Sequence, residues 1–236
     1  MTDTPDSSRR ARLREQTVGE IKQAARRELV ERGGSDLSLR SVAREVGMTP
    51  SALYRYFESR HDLITAVVTD AFQSLAIALQ AAAADGVERS LVGCDRWVNV
   101  AQAHRRWALD NPAEYAVAYA RTLHGYEAPQ ESMTECVRAG VDVMFGVMTA
   151  AIQEGSIDVD AMEQSLTDDV RSGLFAWQAE WQLPLSPGAL SLCLHAWTQL
   201  HGFIALEMHG HFPPHIHDLD ALFEQQMRAA ISISRF

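Results

Sequence analysis

Apolar residues recur at three- and four-residue spacing along nearly the whole chain, and alternating β-branched runs are absent, so the pattern predicts an all-α protein. A first helix is predicted over 14–31, with Val18, Ile21, Ala24 or Ala25, Leu29 and Val30 on its buried side and Gly33-Gly34 as its stop. In SLRSVAREVG, Ser38 is placed as an N-cap. Leu39, Val42, Ala43 and Val46 then fall on one helical face, and Gly47 breaks the helix. TPSALYRYF reads as a short third helix capped by Thr49, with Pro50 at the first helical position, where its missing N–H costs nothing, and Leu53 and Phe57 turned inward. Ser59-Arg60-His61-Asp62 is a capping-box pattern that opens a long fourth helix reaching about Ala84. Beyond Gly86, helices are expected at 91–110, 112–123, 131–154, 160–181, 187–209 and 218–235. The breaks between them are Asn111-Pro112, the Gly125–Pro129 loop, Gly155, Pro184–Pro187 and Pro213-Pro214.

The second and third of these helices, hinged on a glycine turn, have the parts of a helix-turn-helix. The first must bury one apolar face, the turn must be tight, and the second must be slim enough to enter a major groove. Thr49, Pro50, Ser51 and Ala52 are small enough to let its N-terminal end approach bases, while Tyr54, Arg55 and Tyr56 can reach phosphates or base edges. Tyr54 and Tyr56 lie two apart, so a helix cannot aim both at the face that carries Leu53 and Phe57; at least one must look outward.

The run SLRSVAREVGMTPSALYRYFESRHDL resembles the DNA-binding signature of TetR regulators, in which a glycine turn precedes an LYxYFxSKxxL run. The match extends over about Val18 to Asp70 and includes Val42-Ala43, Gly47, Leu53-Tyr54, Tyr56-Phe57, Ser59 and Leu63. The resemblance implies that Arg40 touches phosphate or a base. It also implies that Thr49, Pro50, Ser51, Ala52 and Arg55 face the major groove, that Tyr54 and Tyr56 reach the backbone, and that Arg60, standing where the family has lysine, pairs with phosphate. Pro50 and Ala52 replace hydrogen-bonding residues common in relatives, which shifts weight from base contacts to DNA shape.

Charge changes the picture only when it is divided along the chain. The net charge is -10, yet residues 1–62 hold 12 Lys+Arg against 10 Asp+Glu, and the remainder 9 against 21. A slightly basic head on an acidic body suits a protein that offers one end to phosphate. The expected organisation is a flexible basic arm over 1–13 carrying Arg9, Arg10 and Arg12, a three-helix DNA-binding domain over 14–77, and a larger helical effector-binding and dimerisation domain over 78–236.

Family resemblance makes that second domain the seat of a small apolar or aromatic effector and of a homodimer contact. AWTQLHGFIALEMHGHF resembles the Trp-His-Gly segment of one TetR subgroup. Trp97, His104, Tyr115, Tyr119, Phe145, Met148 and Trp177 are the candidate pocket residues, against the alternative of ordinary core packing. The 187–209 helix is apolar on two stripes: Leu190, Leu194, Trp197, Ile204 and Met208, and Leu192, Ala196, Phe203 and Leu206. One stripe is expected on its own core. The other, Leu192, Ala196, Phe203 and Leu206, is expected on a partner, with Leu222 and Phe223 of the last helix completing a four-helix interface.

Other chemistry is sparse. Nothing resembles a nucleophile elbow, a glycine-rich phosphate loop or HExxH, so neither an enzyme nor a cofactor is expected. Cys94, Cys136 and Cys193 are too far apart for a zinc knuckle and read as small buried hydrophobes, and His104 and His195 as hydrogen-bonded core or pocket residues. His209, His211, His215 and His217 could clamp a transition metal; control through that His-rich loop, or by a protein partner, is the alternative to a small effector. With no run of about 18 apolar residues and a polar beginning, the expected location is the cytoplasm, without a membrane partner.

Overall fold

The computed structural model describes residues 5–31, 37–119 and 130–232. Eleven helices and no strand occur among them: α1 (Pro5–Glu31), α2 (Leu39–Glu45), α3 (Pro50–Leu53), α4 (Arg60–Glu88), α5 (Cys94–Asp110), α6 (Pro112–Tyr119), α7 (Gln130–Gln153), α8 (Asp160–Ser165), α9 (Asp168–Trp181), α10 (Pro187–Met208) and α11 (Leu219–Ile231). The predicted Gly33-Gly34 stop and the Gly125–Pro129 loop lie outside the described residues, as does the side chain of Cys136.

The chain divides into two compact units, Met1–Ser74 with Asn111–Val137, and Leu75–Asp110 with Arg138–Phe236. A single cut near residue 77 misses this because α6 belongs with the head. Val117 joins the head's core, and Glu114 pairs with Arg26 of α1 at 3.2 Å. The head core interleaves Ile21, Ala24, Ala25 and Leu29 of α1, Leu39, Val42 and Ala43 of α2, Leu53 of α3, and Leu63, Ile64, Val67 and Val68 of α4. Each large side chain removed from water there is worth about 1.5–3 kcal/mol. α1 starts at Pro5, well before the expected Arg14, so Arg9, Arg10 and Arg12 ride on helix instead of a loose arm.

Caps set most boundaries. The Ser38, Thr49 and Ser186 hydroxyls accept from the N–H groups of Ser41, Ala52 and Ala189. The Ser59 hydroxyl accepts from the Asp62 N–H (3.1 Å) and donates to its carboxylate (2.8 Å), which caps the start of α4. The helix expected over 160–181 is two helices. Leu166 is extended, and the Thr167 hydroxyl accepts from Val170 N to start α9, whose first turn holds Asp168 and Asp169 where carboxylates suit a helix N-terminus. α4 is long and apolar enough to cross a membrane by length and composition, but half of its most apolar stretch is buried inside the protein, as a core helix requires.

In the second unit, α10 packs against α5, α8, α9 and α11. The Trp97 indole N–H of α5 donates to the Met227 carbonyl of α11 at 3.0 Å. Arg105 of α5 is 7% exposed; it grips both oxygens of Glu207 on α10 at 2.6 Å, reaches Asp220 on α11, and lies over the contacting rings of Phe203 and Phe223.

Candidate nucleic-acid interface

α2 and α3 meet at Gly47, whose φ of 69° lies in the left-handed region where glycine is unstrained. There the Gly47 N–H bonds the Arg44 carbonyl (3.2 Å) and the Met48 N–H bonds the Ala43 carbonyl (2.8 Å), which folds the chain tightly enough to present α3. α3 is short, and only Leu53 of it is buried. Thr49, Pro50 and Ser51 are exposed and Ala52 half-exposed, with the Thr49 and Ser51 hydroxyls 3.2 Å apart. Leu53 and Phe57 anchor this edge from beneath.

The two tyrosines separate. Tyr54 is 51% exposed, while Tyr56 packs half-buried on the head core with the Arg14 guanidinium 5.3 Å from its ring centroid. Arg40, in the first turn of α2, and Arg55, just past α3, are exposed. Arg60 is partly committed elsewhere: its Nε donates to the Leu37 carbonyl at 3.0 Å, tying the start of α4 to the chain entering α2. A buried glutamate does similar work. Glu28 of α1 is 5% exposed, and its carboxylate accepts from the Ser38 N–H at 3.3 Å. No local motif announced either tether.

The head's bases fall into two sets. Lys22 pairs with Asp70 (2.8 Å), Arg26 with Glu114 (3.2 Å) and Arg27 with Glu45 (2.7 Å). Among the described residues Arg40, Arg44 and Arg55, on or beside the helix-turn-helix, have no ion-pair partner. This surface has small side chains for close approach, a rigid base, and uncommitted guanidiniums; that combination suits a polyanion.

Sequence comparison agrees. A model of "Bacterial regulatory proteins, tetR family" matches residues 21–67, and one described as "Tetracyclin repressor-like, C-terminal domain" matches 97–230. The chain is 32% identical to the HTH-type transcriptional regulator Rv1816 of Mycobacterium tuberculosis, over 99% of this chain and 98% of that one, and matches Mb1846 of Mycobacterium bovis equally well. This chain belongs to the TetR family of transcriptional regulators. The fold of the regulatory protein SCO4313 is similar to that of this regulator, with a TM-score of 0.73, 32% identity and coverage of 94% of this chain and 98% of that one. PfmR of Thermus thermophilus shares the fold at a TM-score of 0.59 and 13% identity, with 91% and 99% covered. The protein is thus an all-α DNA-binding regulator and not an enzyme.

The expected effector residues are divided between the two units. Tyr115 and Tyr119 sit in the first unit, ring centroids 4.8 Å apart, and burial pushes the Tyr115 phenol up to about 12 and that of Tyr119 up as well. Trp97 and Met148 are each 1% exposed and fill core. His104, also 1% exposed, meets His201 edge-to-face at 4.9 Å, with Trp197 4.7 Å beyond; burial holds His104 well below the usual imidazole range and His201 down at about 4. Phe145, Trp177 and Trp181 form a half-buried chain of edge-to-face rings at 5.7 and 6.0 Å. A cleft of about 320 Å³ in the second unit is lined instead by Arg89, Asp95, Asn99, Gln102, Glu224 and Arg228 with Leu91 and Val98.

The expected dimer stripe needs correction. Leu192, Ala196, Phe203 and Phe223 are at most 3% exposed within one chain, so they face their own core and none is open to a partner. α5 and α11 cover that side of α10, with Phe203 and Phe223 in ring contact at 5.0 Å. On the open side of α10, Leu194 and Trp197 (37% and 39% exposed) lie toward one edge and Leu206 (46%) toward the other; Leu222 of α11 is half-buried. Of the cysteines, Cys193 is buried and its thiol is pushed up to about 12, whereas Cys94 is only half-buried. Among the described residues no three His, Cys, Asp or Glu side chains gather as a metal site, the His209–His217 loop included.

Proposed function

We propose that this regulator is a homodimeric repressor that holds a palindromic operator and is released from it by a small apolar or aromatic effector. The observation that carries the DNA-binding half is the exposed edge of α3, with Thr49, Pro50, Ser51 and Ala52 foremost, Tyr54 and Arg55 just past it, and Arg40 exposed on α2. Arg55 and Arg40 have the reach to contact base edges or phosphates, and Tyr54 and Tyr56 have the hydroxyls for backbone contact. Arg60, held by Leu37, contributes through whatever part of its guanidinium is left.

Dimerisation is assigned to the open face of α10. Leu194 and Trp197 border it on one side and Leu206 on the other, and a Cβ added at Gly202 between them would meet nothing, which leaves room for a second helix to approach. Leu222 extends it on α11. Two heads so joined would span adjacent major grooves about one DNA turn (~34 Å) apart or slightly more. The rings of Phe145, Trp177 and Trp181 supply a surface on which an aromatic effector can stack. An effector that favours a different head separation by ~1–3 kcal/mol lowers operator affinity in proportion.

The deciding experiment is selection of genomic fragments by the purified protein at fixed salt, followed by footprinting and a reporter assay on the selected site. A protected palindrome near a promoter, with reporter output rising when the protein is removed, supports the repressor. Binding with no preferred site overturns it.

A further inference from the structure

The first turns of α1 have a composition that their own fold does not explain. From Arg9 through Gln16 every residue is exposed, and the first fully buried one is Ile21. At a rise of ~1.5 Å per residue, Arg9 stands roughly 18 Å along the helix from that anchor. The segment has no apolar stripe, since Leu13 is 54% exposed and its other hydrophobe is Ala11. A short helix without packing is marginal in water, so this one persists mainly as a continuation of the packed part of α1.

Its charge is placed against the helix's own field. Arg9, Arg10, Arg12 and Arg14 occur within six residues with no acid among them, near the end of the helix where cations are disfavoured. Arg9 and Arg12 form no ion pair among the described residues. An anionic neighbour outside the chain would reverse that penalty. The position of the segment indicates which anion. Arg14 stacks on Tyr56, and Tyr56 follows α3 in the turn that closes the helix-turn-helix, so these turns leave the head beside the recognition element. Arg10 lies one turn earlier on the face of Arg14, while Arg9 and Arg12, three apart, share the opposite side of the helix, so these turns carry positive charge on both sides.

We propose that the arginine-rich turns of α1 form a second DNA-contacting element, laid along phosphates that flank the half-site read by α3. Arg9, Arg10 and Arg12 supply the charge, and Arg14 is a positioning residue that holds the helix against Tyr56. This rests on the regulator reading above. Contacts to phosphate add affinity without sequence preference, and each releases counterions, so each contributes about 0.9 to the slope of log K against log salt.

The test compares the full chain with an Arg9→Ala/Arg10→Ala/Arg12→Ala variant on the selected operator and on a non-specific duplex, from ~50 to ~200 mM salt. All three side chains are exposed, and an unchanged thermal melt checks that the head is intact. The variant is expected to keep the same palindrome and to bind it less tightly. Its salt slope should be shallower by about 0.9 per lost phosphate, so that two lost contacts narrow the gap between the proteins about tenfold over that range. Ethylation interference should disappear at the flanking phosphates and persist inside the half-site. Equal affinity and equal slope for the two proteins on the operator overturn the proposal. If the parent chain has no preferred site, the repressor reading fails, and the two slopes on non-specific duplex still decide whether these arginines touch phosphate.

Discussion

Arginine is used in opposite ways in the two units. In the second unit the described arginines other than the exposed Arg106 are neutralised from within: Arg89 by Asp85, Arg96 by Glu154, Arg138 by Asp142, Arg171 by Glu163, Arg228 by Asp95 and Glu224, and Arg105 by Glu207 and Asp220. In the head, Arg40, Arg44 and Arg55 stand without ion-pair partners, although Glu45 and Glu58 are near in sequence. A guanidinium satisfied inside the chain holds helices together; one kept unsatisfied on a rigid surface is available to an external anion. The same residue type therefore mainly holds helices together in the second unit, whereas in the head Arg26 and Arg27 do so and Arg40, Arg44 and Arg55 are left open to an anion.

Breaking the internal kind should have the largest effect. In Arg105→Met the Glu207 carboxylate, whose side chain is 12% exposed, loses both of its short hydrogen bonds. Leaving one member of such a pair buried and alone costs about 3–5 kcal/mol, so chemical denaturation should show a loss of that size. Arg105→Lys restores the charge but not the two-pronged geometry and should recover only part of it. A loss below ~1 kcal/mol for Arg105→Met would place this pair among surface bridges and remove the contrast between units.

Acid should attack the same unit. His104 and His201 are held neutral in the folded protein by burial, His201 down at about 4, while in the unfolded chain both titrate near the ordinary value of 6.5. As pH falls below about 6.5 the unfolded state takes up protons that the folded state refuses, so stability declines until the folded value near 4 is reached. For His201 alone the loss is on the order of 3 kcal/mol. Urea melts between these limits should show the decline, and His201→Phe should flatten it; an unchanged pH dependence in that variant would rule out this imidazole as its source.

The external kind should leave stability alone and change binding. Arg55→Ala removes an exposed side chain beside α3, so its melt should move by no more than ~0.5 kcal/mol. Its operator affinity should fall by about 1–3 kcal/mol if the guanidinium reads a base, with relaxed preference at one position of the half-site, or fall uniformly on all sequences if it meets phosphate. Titration of the variant against operator and scrambled duplex separates the two; unchanged affinity on both removes Arg55 from the interface.

The head was the more legible unit because its rules are local. Ser38, Thr49-Pro50 and Ser59 with Asp62 each determine a helix start from a few neighbouring residues, and the structure has all three caps. α10 was not legible in the same way. Both of its stripes are apolar, and periodicity states only that each is covered. Which one meets the chain's own core depends on where Trp97 of α5 and Phe223 of α11 lie, and those are long-range facts. The Arg60 tether was out of reach for the same reason, since Leu37, its carbonyl partner, is 23 residues away. The break between α8 and α9 was within reach: Thr167 followed by two aspartates is a helix start, hidden by an apolar pattern that runs through it.

The smallest effect tests the joint on which the exposed arginines depend. Gly47→Ala adds a methyl group that meets nothing within 4 Å, so packing is unaffected and the change acts on the backbone alone. At φ 69° an L-residue is strained by about 1–2 kcal/mol, and the thermal midpoint should fall accordingly. Because the cost sits in the turn between α2 and α3, relief by opening the turn would tilt α3 and lower operator affinity as well. Gly47→Asn, which tolerates the left-handed region better, should recover part of both losses. If Gly47→Ala lowers stability while leaving affinity intact, the turn keeps its shape under strain, and the aim of α3 is set by Leu53 and Phe57 in the core instead of by the glycine.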